Sequence, residues 1–186
     1  MNVTIVLAVV VIVVVLGAVG FWIMSRRRRT AELREQFGPE YERTVERYGD
    51  GARAEKELAD RAGRVEQLHI RQLPPEQSGR YAEQWRATQS RFVDDPETAV
   101  GEADALVAEV MQARGYPMAD FEQRAADISV DHPSEVENFR AAHALAVQAS
   151  RGEASTEDLR QAMVHFRALF DNLIDTRETS HVEARR

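Results

Sequence analysis

The chain of 186 residues carries 24 basic and 31 acidic side chains, is 44% hydrophobic, and has no cysteine. That last absence excludes a disulfide framework, a thiol nucleophile and a thiolate metal site, and it leaves the redox compartment open. Residues 1–29 hold four arginines and no acid, so residues 30–186 carry 20 basic against 31 acidic groups, a net charge of −11 whose field opposes nucleic-acid phosphate.

Val3 to Met24 is an uncharged run of 22 residues, nine of them valine. At about 1.5 Å per residue this spans roughly 33 Å as a helix, which predicts a transmembrane segment over 3–24. Valine is a poor helix former in water, but lipid forces every backbone group to bond internally. A cleaved signal peptide requires a basic start and a shorter apolar stretch; the nearest small-x-small site is Ala18-Val19-Gly20, and the segment is expected to stay. Arg26, Arg27, Arg28 and Arg29 follow the run and no charge precedes it. The positive-inside rule then predicts a single-pass protein of the bacterial inner membrane, amino terminus outside and domain in the cytoplasm, with Trp22 at the headgroup level. Gly17 and Gly20 are three apart, so the four-residue spacing for close helix dimerisation is not met.

From residue 30 onward apolar positions recur every three or four residues and no strand alternation persists, which predicts an all-α fold. Thr30 to Phe37 reads as a short helix ended by Gly38, and Pro39 opens another with Glu40 and Glu42 in its first turn. Tyr48-Gly49-Asp50-Gly51 reads as a turn. Leu58, Ala62, Val65 and Leu68 then mark a helix of about 20 residues ending before Pro74-Pro75. Tyr81, Trp85, Thr88 and Phe92 give the next helix one aromatic face, and such a stripe is more often core than binding surface.

Asp95 before Pro96 reads as an N-cap, with Val100, Ala103, Val107 and Val110 as the stripe of the helix that stops at Arg114-Gly115-Tyr116-Pro117. Asp120 is expected to cap a short helix bearing Phe121, Ala125 and Ile128. Ser134 with Glu137 has the spacing of a capping box, ahead of Val136, Phe139, Ala142 and Ala146. Ser155 with Asp158 opens the strongest amphipathic pattern, which carries Leu159, Ala162, Met163, Phe166, Leu169, Phe170 and Leu173.

The predicted organisation is a transmembrane helix over 3–24, a basic juxtamembrane segment and short helix over 25–38, a compact antiparallel helical bundle over 39–175, and a disordered tail over 176–186. Short connections support the antiparallel arrangement.

No local motif announces catalysis. The five histidines, His69, His132, His143, His165 and His181, lack metal-ligand spacing, and neither a glycine-rich phosphate loop nor a Gly-x-Ser-x-Gly elbow is present. No cofactor is therefore expected, and an enzyme is the less favoured class. Two polar clusters stand out, each at a predicted helix junction: Arg91, Asp94 and Asp95 in one, Asp127, Asp131 and His132 in the other. Converging, they would form a cleft for proton transfer or for a cationic partner. Capping accounts for the same residues, with Asp95 capping one helix, Asp94 pairing with Arg91, and Asp131 or Ser134 capping another, and that account is favoured.

The segments Gln36 to Val45, Arg91 to Pro96, Arg114 to Pro117 and Asp127 to Pro133 together resemble a family of uncharacterised bacterial proteins with one amino-terminal membrane segment and a helical domain. The resemblance runs from Gln36 to about Leu173 and implies no activity. The expected function is a membrane-anchored scaffold or accessory protein whose partners are the lipid bilayer and another protein. The alternatives are a small-ligand sensor or enzyme built on the polar junctions, and a helical domain of the cell envelope.

Overall fold

A helix of 35 residues, α1 (Val3–Phe37), opens the chain. The computed structural model describes residues 3–175, with side chains from residue 11 onward. Gly38 ends α1, and Pro39 takes the first position of α2 (Pro39–Tyr48), where a missing N–H costs nothing. Gly49, left-handed at φ 64°, caps α2 by donating its N–H to the Val45 carbonyl, and α3 (Gly51–Glu66) follows. Five further helices complete the described chain: α4 (Pro75–Arg91), α5 (Pro96–Arg114), α6 (Phe121–Asp131), α7 (Val136–Ala149) and α8 (Thr156–Ile174). No strand occurs among the described residues, and the fold is all-α.

The chain divides into two compact units, Met1–Leu58 and Ala59–Arg186. The expected boundary at Pro39 falls inside the first of these. Within the second unit α7 packs on α8, and α5 lies against α4, α7 and α8. The α5 stripe of Val100, Ala103, Val107 and Val110 is buried in full, as are Phe139 of α7 and Phe166, Leu169 and Phe170 of α8. Trp85 stacks on Phe170 with ring centroids 4.6 Å apart, which places the aromatic face of α4 in this core. Within the first unit α1 packs on α2, and Leu33, Phe37, Tyr41, Ala54 and Leu58 are buried.

Three expectations need correction. First, no helix among the described residues is long and apolar enough to cross a membrane. The uncharged stretch with described side chains runs from Val11 to Ser25, about 22 Å of helix, against the roughly 20 residues that a hydrocarbon core demands. Beyond it α1 continues without a break through Arg26, Arg27, Arg28 and Arg29 to Phe37. The single-pass inner-membrane placement, the topology read from the arginines and the headgroup role of Trp22 are accordingly not supported. The side chains of residues 3–10 and the expected tail over 176–186 lie outside the described residues.

Second, α3 ends at Glu66, short of the expected stop before Pro74. Residues 67–74 leave the helix to cross the end of α5: the Arg71 N–H donates to the Arg114 carbonyl (2.8 Å) and its Nε to the Ala113 carbonyl (3.2 Å). Two carbonyls at a helix end gain partners in this way. Third, the expected capping box at Ser134 is absent. Helix α7 begins at Val136 after Glu135, without a side-chain cap; the His132 carbonyl instead accepts the N–H groups of Glu135 and Val136.

Candidate functional site

The junction at Arg91 is a set of helix-end contacts. Asp95 caps α5 by accepting the Thr98 N–H at 3.2 Å, and hydrogen bonding by the Thr98 side chain, then by its N–H, holds the Asp95 carboxyl below the usual range. Arg91 pairs with Glu102 on the first turns of α5, where Asp94 was the expected partner. The Asp94 and Asp95 N–H groups both bond the Arg91 carbonyl. Asp94 itself stands exposed, beside Val93, so these residues converge on no cleft.

The second junction is a polar seam inside the second unit. Asp127, 2% exposed, accepts the Gln123 side-chain amide at 2.7 Å and pairs with Arg64 at 3.6 Å. Asp131 accepts the Tyr116 hydroxyl at 2.7 Å. Burial, with the Asp131 carboxylate beside it, drives the Tyr116 phenol well above its ordinary range, so it donates at all physiological pH. Asp131 keeps one edge exposed, yet desolvation of its inner side raises its carboxyl, and the Tyr116 bond opposes part of that rise. His132 is 6% exposed; burial, and then the nearby Arg114 charge, push its imidazole down to about 4, so it is neutral at pH 7.

Arg114, itself buried in the last turn of α5, donates to the Leu173 carbonyl at 3.2 Å. Its cation thereby satisfies a carbonyl near the end of α8. The structure thus brings Asp127, Asp131 and His132 into one region and gives Asp127 and Asp131 specific partners. These contacts join the ends of α5, α6 and α8. What the seam does chemically is fix a protonated phenol, a neutral imidazole and a guanidinium in place.

Sequence reasoning missed a third cluster. His143 of α7 lies 3.3 Å through Nδ1 from Oδ2 of Asp104 on α5, and its ring stacks on Phe121 with centroids 3.7 Å apart and planes 8° apart. The Arg124 guanidinium lies over the Phe121 ring, 6.0 Å from its centroid. Asp104 follows buried Ala103, and its Oδ1 is buried without a hydrogen bond among the described atoms. An acid next to a buried small residue was the available signal. Its partner, 39 positions away, was not visible in any local pattern. Among the described residues no three His, Asp or Glu side chains converge as a metal site.

The most exposed apolar surface belongs to the first unit. On α1, Val11 to Leu16, Val19 and Phe21 to Met24 are all exposed, Phe21 by 77% and Trp22 by 61%. At the base of this stretch a groove of about 510 Å³ opens among Trp22, Ile23, Arg26 and Arg27 of α1 and Asp50 to Ala52 and Glu55 at the start of α3. The Arg26 guanidinium stands 5.7 Å from the Trp22 ring centroid. Arg28 and Arg29 are exposed on the same helix and do not line the groove. No protein-family model, no curated protein and no solved structure matches the chain.

Proposed function

We propose that the chain is a helical scaffold or accessory module that binds another protein, with α1 as its contact arm. One observation carries this reading: α1 presents apolar side chains on every face from Val11 to Met24. A helix apolar all round is one that another surface covers, and each 100 Å² covered would contribute about 2.5 kcal/mol. Exposed apolar patches of this extent mark interaction sites. In the second unit the named side chains of the polar seam hold helix ends together, which is a structural role.

The test places a photo-crosslinking residue at Phe21 of the full chain in living cells. The expected result is adduct formation with a discrete protein, lost when Val14 and Phe21 are replaced by serine, and reproduced with that protein in purified form. Adducts with lipid alone, with a second copy alone, or with nothing would overturn the proposal.

A further inference from the structure

The groove at the base of the apolar stretch is chemically two-sided. Its α1 wall supplies an apolar surface, Trp22 and Ile23, and immediately beside it two cations, Arg26 and Arg27. Its opposite wall supplies two carboxylates, Asp50 and Glu55, and both are engaged. Glu55 accepts the Thr30 hydroxyl at 2.7 Å and the Tyr41 hydroxyl at 3.1 Å through the same Oε1. Asp50 accepts the Ala52 N–H at 2.8 Å and lies 4.0 Å from Arg53. No carboxylate among the described residues pairs with Arg26 or Arg27.

Two cations that no carboxylate pairs with among the described residues, standing beside the apolar wall of a groove whose own carboxylates already accept hydrogen bonds, are complementary to a molecule with one anionic end and one apolar body. A volume of about 510 Å³ suits a single alkyl chain or a comparably small ligand. We infer that this groove binds a free single-chain anionic amphiphile, its carboxylate or phosphate held by Arg26 and Arg27 and its chain laid on Trp22 and Ile23. The site lies within the first unit and takes Trp22 and Ile23 from the foot of the apolar stretch of α1, so its binding is read separately, on the purified chain without a protein partner.

The probe is ω-bromoundecanoate, whose bromine quenches a tryptophan on contact, titrated into the purified full chain against its neutral methyl ester. The chain's other tryptophan, Trp85, is 4% exposed and stacked on Phe170, so the readout is Trp22; Trp22→Phe should abolish it. Saturable quenching by the acid is expected, with apparent affinity about tenfold weaker in the Arg26→Gln/Arg27→Gln double variant, the loss of one charge-assisted contact or more. Arg28→Gln/Arg29→Gln, which removes the same charge from outside the groove, should change affinity by less than about twofold, as a screened surface charge does. Equal weakening in both double variants would reduce the effect to diffuse charge and overturn the site. Equal quenching by the methyl ester, or quenching that does not saturate, would overturn it as well.

Discussion

The two units use apolar side chains in opposite ways. In the second, the apolar faces of α4 to α8 are turned onto one another, so that Val100, Val107, Phe139, Phe166 and Phe170 have at most 1% of their surface exposed. In the first, a run of comparable hydrophobicity on α1 lies open along its length. Hydrophobic content alone therefore says little about where a core is; periodicity does. The second unit breaks its apolar residues into stripes separated by polar faces, which can pair. The α1 run has no polar face through Met24, and nothing within one helix can bury all of its sides.

Substitution should separate the two uses most strongly. Phe166→Ala removes a fully buried ring and should cost about 3–5 kcal/mol in the unfolding of the second unit, whereas Phe21→Ala should leave that transition within about 0.5 kcal/mol. Denaturant melts of both variants decide the matter, and equal losses would break the contrast.

Acid should act on the second unit through His132. An unfolded imidazole titrates near 6.5 and this one near 4 in the folded chain, so between those values the unfolded state binds the extra proton and stability rises with pH. The contribution is complete above 6.5 and is lost as pH falls toward 4, amounting to about 3 kcal/mol at its largest. Asp131 works in the opposite sense around the carboxylate range, since its raised carboxyl holds a proton longer in the folded state. Melting temperatures across pH 7 to 4 should therefore fall for the native chain and fall less steeply for His132→Gln.

A smaller loss, about 2 kcal/mol, is expected for Gly115→Ala. Gly115 has φ 104°, and a Cβ there would stand 2.6 Å from the His69 carbonyl oxygen. The same substitution at Gly101, whose added Cβ meets nothing within 4 Å in the middle of α5, should be neutral or stabilising. The smallest effect separates two serines. Ser155→Ala removes a formed capping box and should cost about 1 kcal/mol, while Ser134→Ala, at a helix start without a side-chain cap, should cost less than about 0.5 kcal/mol by thermal melt.

That pair of serines also shows how far the sequence could be read. Caps at Asp95, Asp120 and Ser155, and the stripes of α5 and α8, depend on residues within one or two turns of each other, and they stand where spacing puts them. The failures lie where a backbone carbonyl takes the place of the expected side chain or a distant segment supplies the partner. Helix α7 opens on the His132 carbonyl and leaves Ser134 unused. Helix α3 stops early because residues 67–74 bond the end of α5. Arg114 and Arg140 occupy buried helical positions that composition assigns to the surface, each held by a contact made only on packing: the Leu173 carbonyl for one, Glu122 for the other. The pairs Arg64 with Asp127, Tyr116 with Asp131, and Asp104 with His143 are of the same kind. Their members were visible as residues, and their pairing was not.

The crossing of residues 67–74 over α5 has a consequence for the order of opening events. The Arg71 amide belongs to no helix, and amides in irregular segments ordinarily exchange with solvent within seconds to minutes; this one is bonded to a carbonyl 43 positions away. Its exchange with deuterium is therefore gated by separation of that segment from the carboxyl end of α5. A single resonance would time the parting of this segment from the last turn of α5.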